Sequence, residues 1–450
     1  MMQFTETLPT IPHHQTTKPC QNFTPMNPNQ ISQRTRPWPG FPAPNKALGT
    51  FGDTNCMEHL LVRCVNAIES NDATLSQQIL WVLNNIAPSD GDSNQRLTCG
   101  FLRALIARAA KTGTCKMLTA ALSNSNITIQ THKFSIIELA SFVDLTPWHR
   151  FGFTAANTAI LEAIEGYSTV HIVDLSLTHC MQIPTLIDAM AGKTDGPPLV
   201  KLTIAGATED VPPMLDLSYD ELGVKLVNFA RSRNIILEFN VIPSTSLDGF
   251  SSLIEHLKLQ TLVTDTHEAL IINCHMMLHY IPEDQSTTTT PFSFEDVTPR
   301  AMFLKQIRTL NPALVVLVDE DADFTSTNLV CRLRSAFNYL WIPYDIVDTF
   351  LPKGSKQRQW YEADICWKIE NVIAQEGSHR IERLEPRARW VQRMRTTGFR
   401  EVGFGEDNVG EVKGMLDEHA AGWGLKKEED DLVLTWKGHN VVFATAWVPM

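Results

Sequence analysis

The sequence is poor in positive charge. It contains 38 lysines and arginines against 50 aspartates and glutamates, so its 450 residues carry a formal net charge of −12. A field of this sign repels phosphate backbones unless cations are concentrated locally. We therefore do not expect the chain to bind DNA unaided.

Long apolar runs and paired cysteines are also missing. Apolar runs such as residues 270–272 and 314–318 fall far short of the roughly 20 residues that span a bilayer. The nine cysteines include no C-x-x-C pair, and the sequence does not begin with a charged and then apolar secretory signal. These absences predict a soluble intracellular protein with reduced thiols and no membrane partner.

Residues 1–54 are rich in proline, threonine, asparagine and glutamine. Such a composition buries too little apolar area to offset the entropy of ordering the chain, so we predict that this segment is disordered. Its stretch PWPGFPAP offers an alternative role, the docking of a partner, which we consider the weaker interpretation.

Helical periodicity dominates residues 55–135. Apolar residues recur at three- and four-residue spacing in NCMEHLLVRCVNAIES, ATLSQQILWVLNNIA and QRLTCGFLRALIARAA. Three amphipathic helices in succession predict a helical subdomain. Their leucine stripes pack either within the chain, which we favour, or against a partner helix.

From residue 170 the pattern changes to alternating strands and helices. Short apolar strands such as VHIVDLS, LVKLTIAG and ALVVLVDED are separated by helical stretches, and DLVLTWKGHNVVFATAWVP has the form of a hairpin. This alternation predicts an α/β fold with a parallel, doubly wound sheet, finished by a C-terminal antiparallel hairpin and joined to the α-helical cap subdomain. The layout is that of the Rossmann-like, methyltransferase-type fold, which by itself implies no chemistry.

The sequence lacks the glycines that a nucleotide or S-adenosylmethionine site needs after the first strand. Bulky residues 175–181 follow Asp174, and the second strand ends at Ala205 without an acidic residue until Glu209. The backbone therefore cannot approach a ligand, and no carboxylate takes its ribose hydroxyls. We expect no cofactor and no enzymatic activity.

Other catalytic patterns are equally sparse. There is no G-x-S-x-G, H-E-x-x-H or phosphate-binding loop motif. His267, Cys274, His275 and His279 form a cluster that could hold a metal, but the His275/His279 pair abuts a strand end, so a polar core or surface cluster is favoured. Cys180 lacks an orienting third group for nucleophilic catalysis. We expect no catalytic or metal-binding residues.

One helical stretch, residues 379–400, concentrates arginines. A contact with nucleic acid is one interpretation, and salt bridges on the helix surface or partner contacts are the favoured one. The candidate basic contacts are Arg387, Arg389, Arg393 and Arg395.

Several separate pieces, in order, resemble the GRAS family of plant transcriptional regulators. VHIVD is similar to the family's VHIID core, RIERLE and the tryptophans that follow it to the family's last region, and ATAWVP to its SAW signature. Cys180 and Ile183 depart from the glycine and tryptophan usual in the motif's extension. The run FGFTAANTAILEAIEG suggests a Scarecrow-like protein near the Short-root branch. The residues that match family motifs are Val170, His171, Ile172, Val173, Asp174, Gln182, Pro184, Arg380, Glu385, Trp390, Gly398, Trp436, Ala446 and Trp447.

The resemblance implies a GRAS domain over residues 55–450. Its parts would be the leucine-rich helical cap (55–135), the VHIID region (136–210), a second leucine-rich region (215–259), a PFYRE-like region (260–352) and a SAW-like region (353–450).

The resemblance also implies a regulator in the nucleus, with the cytoplasm as a second location. Its partners would be other GRAS proteins, as a homodimer or heterodimer, and zinc-finger or other DNA-binding transcription factors. The motif residues would be architectural first and partner contacts second. Two alternatives stay open: a small-molecule-binding or methyltransferase-like protein on the same fold, and a direct, sequence-specific DNA binder.

Overall fold

A computed structural model describes residues 54–112, 132–192, 199–206, 211–261, 268–283, 298–419 and 421–450. Apart from Thr54, the N-terminal segment predicted to be disordered lies outside these residues, and so does His267. None of the helices in the described ranges is both long and apolar enough to cross a membrane.

Strands and helices alternate through the middle of the chain, as predicted. The strands of the described residues are β1 (Lys133–Phe134), β2 (Thr169–Ser176), β3 (Leu199–Gly206), β4 (Met214–Leu215), β5 (Leu237–Pro243), β6 (Glu268–His275), β7 (Leu314–Glu320), β8 (Phe399–Glu401), β9 (Trp423–Glu428), β10 (Asp431–Trp436) and β11 (His439–Pro449).

The helices precede, separate and follow these strands. Those of the described residues are α1 (Thr54–Glu69), α2 (Ala73–Ile86), α3 (Ser93–Thr112), α4 (Ile136–Asp144), α5 (Pro147–Ala163), α6 (Ile183–Ala191), α7 (Tyr219–Ser232), α8 (Ser251–Thr261), α9 (Pro299–Thr309), α10 (Leu329–Phe350), α11 (Lys356–Ala374), α12 (Arg387–Thr396) and α13 (Glu406–Asp417), with single 3₁₀ turns at Leu278–Tyr280 and Gly377–His379.

One mixed sheet organises the described chain and confirms the predicted α/β class. Its strands lie in the order β5-β3-β2-β6-β7-β11-β10-β9, and β8 pairs with the end of β11. The first five are parallel, whereas β11 runs antiparallel to β7 and β10. Strands β8 and β9 extend the predicted hairpin into a larger antiparallel part.

Both faces of the sheet are buried. Along β2, Val170 and Ile172 pack into one apolar core with α5 and α6, and Val173 and Leu175 pack into a second core with α8 and α9. Successive side chains of a strand point to opposite faces. An uninterrupted apolar strand is therefore what two covered faces require.

The leucine-rich helices pack against helices from much later in the chain. Phe101 of α3 meets Phe337 of α10 edge to face, with ring centroids 5.5 Å apart. The buried Arg96 of α3 pairs with Asp348 of α10 at 2.7 Å and with Glu362 of α11 at 2.9 Å. The leucine stripes of α1–α3 thus pack within the chain, as favoured, and α10 and α11 complete the helical layer.

The C-terminal hairpin is anchored by two buried tryptophans. Trp436 of β10 donates its indole N–H to Asp345 of α10 at 2.7 Å. Trp447 of β11 donates its indole N–H to the Thr445 hydroxyl at 2.7 Å. The hairpin turn uses Lys437 and Gly438, both at positive φ, which suits the twist of a two-residue connection.

Replacing Trp447 by alanine should lower the free energy of unfolding by about 3–5 kcal/mol, because it leaves a cavity in the second core. Trp81→Ala is the matched control, since that side chain is 57% exposed, and its cost should stay within about 0.5 kcal/mol. Chemical denaturation monitored by circular dichroism measures both. A loss of stability for Trp447→Ala as small as that of the control would contradict a core role.

Candidate functional site

The candidate site lies at the carboxyl edge of the parallel strands. The chain order reverses between β2 and β6, which are neighbours in the sheet. In open α/β sheets, ligands bind at such a switch point, in the crevice outside the strand ends. The turn after β2 and the segment after β6 therefore decide what this edge can hold.

The turn after β2 adopts a glycine-like conformation without a glycine. His179 and Cys180 both have positive φ, 49° and 62°, which is uncommon for residues with a side chain. Cys180 is buried, and its backbone N–H donates to the Ser176 hydroxyl. The bend that glycine would permit is thus present, and a buried cysteine side chain fills the space beside it.

The Cys180 thiol is not activated as a nucleophile. Burial raises its pKa well above the ordinary value, and the neighbouring Asp174 carboxylate raises it further. Because of this raised pKa, Cys180 stays protonated near neutral pH. Only the thiolate is an effective nucleophile.

A chain of buried hydrogen bonds fixes this turn to the sheet. The Asn273 amide of β6 donates to Asp174 Oδ1 at 2.7 Å and to Gln182 Oε1 at 3.0 Å. Gln182 in turn donates to Asn157 of α5 at 3.0 Å. Asp174 also accepts from Ser176 at 2.6 Å. Burial raises the pKa of Asp174, against the lowering effect of these hydrogen bonds.

Asn273 was missed by sequence reasoning. It is the one polar residue inside the apolar run LIINC, and it is fully buried. A buried amide costs free energy unless it is hydrogen-bonded, so its place in an apolar strand was the available signal.

The cavity between the ends of β2, β6 and β7, lined by Leu177, Met276 and Glu320, is small. It measures about 40 Å³, which accommodates a few water molecules, whereas small-molecule pockets measure roughly 300–1,000 Å³. Its walls combine aromatic and charged side chains, among them Phe142, Trp148, His149, His279, Glu320, Tyr361, Asp364 and Lys368.

A buried charge cluster lies beside this cavity, at the end of β7. His279 contacts Asp319 at 2.9 Å and Glu382 at 3.5 Å. Lys368 of α11 pairs with Glu320 at 2.5 Å. Burial lowers the pKa of His279, but the Asp319 and Glu382 carboxylates outweigh it and raise that pKa to about 9. The cluster therefore contains two cations, held by three carboxylates.

The residues predicted to form one polar cluster lie in two different places: His275 packs against another histidine, and His279 lies among carboxylates. His275 packs against the ring of His149, with centroids 5.5 Å apart, and burial lowers its pKa to about 4. Burial also raises the pKa of the Cys274 thiol. His279 belongs to the charge cluster instead. Within the described residues, no group of three or more such side chains could hold a metal ion.

The other motif residues lie in or against the sheet. His171 is buried, with Nε2 2.9 Å from the Thr203 hydroxyl and Nδ1 3.3 Å from Glu268. Pro184 is the second residue of α6, where a missing backbone N–H is harmless. Ala446 is buried, and its carbonyl accepts the Val402 N–H at 2.8 Å.

The RIERLE segment and the helix after it hold buried charges. Arg380 donates to the Phe324 carbonyl at 2.8 Å. Glu385 accepts from Arg393 at 2.8 Å and lies 3.3 Å from Arg300. Trp390 is buried, and its ring centroid lies 5.5 Å from the Arg300 guanidinium carbon and 5.7 Å from that of Arg393.

Gly398 ends this segment with φ +91°. A residue with a side chain would be strained at this φ. The Gly398 carbonyl accepts a hydrogen bond from the Arg308 side chain at 3.0 Å. The glycine is therefore required by the backbone turn that leads from α12 to β8.

The four candidate basic contacts all form ion pairs within the chain. Their carboxylate partners are Asp431 and Glu428 for Arg387, Asp323 for Arg389, Glu283 and Glu385 for Arg393, and Glu401 and Glu429 for Arg395, at distances of 2.6–3.4 Å. Their positive charge is thus balanced by the chain itself.

The motif pieces and the sheet that joins them match one family model. The GRAS domain family model covers residues 57–448, nearly the whole described chain. This chain belongs to the GRAS family. GRAS proteins are plant regulatory proteins, and the family resemblance seen in the separate motifs is confirmed.

Several GRAS proteins are similar over most of their length. Scarecrow-like protein 32 of Arabidopsis thaliana is 59% identical over 94% of this chain and 100% of its own. Protein SHORT-ROOT of Arabidopsis thaliana is 29% identical over 87% of this chain and 73% of its own. The Short-root relatives are thus the more distant ones.

A solved GRAS structure has the same fold. The crystal structure of SCL7 from Oryza sativa superposes with a TM-score of 0.67 at 21% identity, covering 87% of this chain and 99% of its own. At this identity the likeness shows the fold alone.

Replacing Asn273 by alanine should destabilise this GRAS domain by about 2–3 kcal/mol, because the buried Asp174 and Gln182 side chains lose a donor. Asn157→Ala is the control, since Asn157 is only partly buried and water can replace its amide. Its expected cost is below about 1 kcal/mol. Urea denaturation measures both. Equal costs for the two variants would show that Asn273 does not organise the turn.

Asp364 should make stability depend on pH. Burial raises its pKa to about 7, although Lys368 acts in the opposite direction. An unfolded carboxyl ionises near about pH 4, so the native state binds more protons between these values and stability falls as pH rises through them.

Relative to Asp364→Asn, the wild-type free energy of unfolding should therefore fall between about pH 4 and 7, by at most about 1.4 kcal/mol per pH unit, and level off above. His279, whose pKa is about 9, is present in both the wild type and the variant, so its titration does not contribute to the difference. Urea denaturation at half-unit pH steps gives the difference. A difference that does not vary across this window would contradict the raised pKa.

Proposed function

We propose that this GRAS protein regulates transcription in the nucleus mainly through protein–protein contacts. Its partners are other GRAS proteins, with which it forms homodimers or heterodimers, and DNA-binding transcription factors, including zinc-finger proteins. The observation that carries the proposal is the crowded turn after β2, where Cys180 is buried and the cavity between the strand ends, about 40 Å³, is too small for a nucleotide-sized ligand.

The strand order supports a methyltransferase-type layout for this non-enzymatic protein. The long parallel strands lie in the order β5, β3, β2, β6, β7. Numbered along the chain, this order is 3-2-1-4-5, as in the doubly wound nucleotide-binding fold. The antiparallel β11 then lies between β7 and β10. We infer that the chain retains the sheet of a ligand-binding fold while its side chains occupy the ligand's place.

The charge distribution favours protein partners over DNA. Arg387, Arg389, Arg393 and Arg395 are matched by carboxylates, and the whole chain carries a net charge of −12. A phosphate backbone would have to displace those carboxylates. DNA-binding factors, in contrast, are rich in lysine and arginine, and an acidic chain attracts them.

A groove along α5 is suited to such a factor. It measures about 580 Å³, with the buried Phe153 and the partly buried Leu161 in its apolar walls and the exposed Asp407 and Glu411 of α13 on its rim. Arg150 also lines the groove, but it pairs with Asp144 and Glu418 within the chain. Apolar walls with an excess of carboxylates fit a segment that carries both apolar and cationic side chains. We propose this groove as the contact for zinc-finger factors.

The variant Asp407→Lys/Glu411→Lys should therefore lose its zinc-finger partners in affinity purification from plant cells. Asp417→Lys, on the same helix but outside the groove, is the matched control and should retain them. Mass spectrometry compares the recovered proteins, and the melting temperatures of the purified variants confirm that both fold.

Recovery of the same zinc-finger factors with both variants would contradict the groove assignment. If the wild-type chain recovers no transcription factors, and the purified chain binds duplex DNA with a steep dependence on salt, the direct DNA binder replaces the proposed function.

A further inference from the structure

Helices α3 and α11 pack side by side and run in the same direction. Arg96 of α3 pairs with Glu362 of α11 at 2.9 Å, and further along both helices Arg108 donates to the Ile373 carbonyl at 3.1 Å. The residues joined by these two contacts are 266 and 265 positions apart in the chain. An offset that stays constant over about three turns shows that the two helices keep one parallel register.

Two cysteines lie at the same level of this helix pair. Adding the offset of 266 to Cys99 of α3 gives residue 365, so Cys366 of α11 lies within one residue, or about 1.5 Å of rise, of the Cys99 level. Gly100, next to Cys99, allows the helices to approach closely. A methyl group on Gly100 would lie 3.6 Å from Cys366 Sγ and 3.0 Å from the Ile369 side chain. The Cys366 thiol therefore lies directly against α3.

The two thiols also share their charged neighbours. Burial raises the pKa of Cys99, and it raises the pKa of Cys366 to about 11. The Arg103 guanidinium, one turn after Cys99, lowers the pKa of both thiols, and the Glu362 carboxylate, one turn before Cys366, raises both. Because the same cation and the same anion act on both thiols, Cys99 and Cys366 belong to one cluster.

This pair differs from most other cysteines of the described chain in its exposure. Cys64, Cys180 and Cys274 are buried, whereas Cys99 and Cys366 are both partly exposed. Susceptibility of a thiol to oxidation follows its exposure and its thiolate character. A small oxidant can therefore reach this pair more readily than the cysteines of the core.

We propose that Cys99 and Cys366 are a redox pair, which hydrogen peroxide converts into a disulfide that joins α3 to α11. Cys99 reacts first, because a hydrogen bond from Arg103 favours its thiolate. Its sulfur attacks one peroxide oxygen, the O–O bond breaks, and the departing hydroxide takes up a proton to form water. The product is a sulfenic acid on Cys99.

Cys366 completes the reaction. Its sulfur attacks the Cys99 sulfur, the S–S bond forms, and the S–O bond of the sulfenic acid breaks. The departing hydroxide takes the Cys366 thiol proton and leaves as a second water. Two thiols are thus oxidised to one disulfide while one peroxide is reduced to two waters, and a dithiol reductant reverses the step by thiol–disulfide exchange.

Such a bond would be a switch rather than a permanent staple. In cytosolic and nuclear proteins, disulfides are usually transient and redox-sensing. The bond would close a loop that contains most of the described chain, and a cross-link over so long a loop strongly restricts the unfolded state. Oxidation would therefore hold the leucine-rich helix α3 more firmly on α11. This inference is independent of the partners proposed above.

Peptide mapping of the full chain tests the pairing directly. After treatment with hydrogen peroxide, the remaining thiols are blocked with N-ethylmaleimide and the protein is digested with trypsin without reductant. Cys99 falls in the tryptic peptide 97–103 and Cys366 in 359–368, and neither peptide contains another cysteine. We expect mass spectrometry to find these two peptides linked, two hydrogens lighter than their summed mass, and to find them separate after dithiothreitol.

Thermal melts give a second readout. Oxidation should raise the melting temperature of the wild type by at least about 3 °C and should leave those of Cys99→Ser and Cys366→Ser unchanged. Cys331→Ser is the matched control, because it removes an exposed thiol of α10 and should retain both the linked peptides and the rise. Melts of the reduced variants confirm that each one folds.

Any of three results would overturn the proposal. Cys99 and Cys366 could both be recovered as N-ethylmaleimide adducts or as sulfinic acids, with no linked peptide. Either cysteine could instead be recovered linked to a different cysteine or to a second chain. The linked peptides could also form equally well in concentrated urea, in which case the packing of α3 on α11 does not bring the two thiols together.

Discussion

The Asn273 amide joins three elements, and the closed edge of the sheet depends on it. Its two hydrogen bonds connect the end of β2, through Asp174, with the start of α6, through Gln182. The turn between them is thereby held against the sheet with Cys180 packed inside. The side chains of the turn thus occupy the space directly beyond the end of β2.

The charged residues, like the polar residues of the turn, also have partners within the chain. His279 and Lys368 are held by the Asp319, Glu382 and Glu320 carboxylates beside the cavity. The arginines of α12 are matched by carboxylates within the chain. Buried charges paired in this way favour one conformation of the chain. The groove along α5, about 580 Å³ in volume, is the surface that we propose for partners.

The sequence predicted the architecture better than the site. Apolar strands and helical stripes revealed the α/β fold and the leucine-rich helices, because burial on both faces leaves a continuous apolar pattern. The ion pairs of Arg393, the bonds of Asn273 and the packing of α3 against α10 join residues far apart in the chain, so no local pattern could predict them. The crowded turn at Cys180 was foreseen from side-chain volume, but its positive φ was not.

Calorimetric titration of the purified chain with S-adenosylmethionine tests the sealed edge most directly. We expect no saturable heat at ligand concentrations up to the millimolar range, with Asn273→Ala, in which the turn is released, measured beside the wild type to show whether opening the turn creates a site. Saturable binding to the wild-type chain, with the ligand located beside Cys180, would contradict the account.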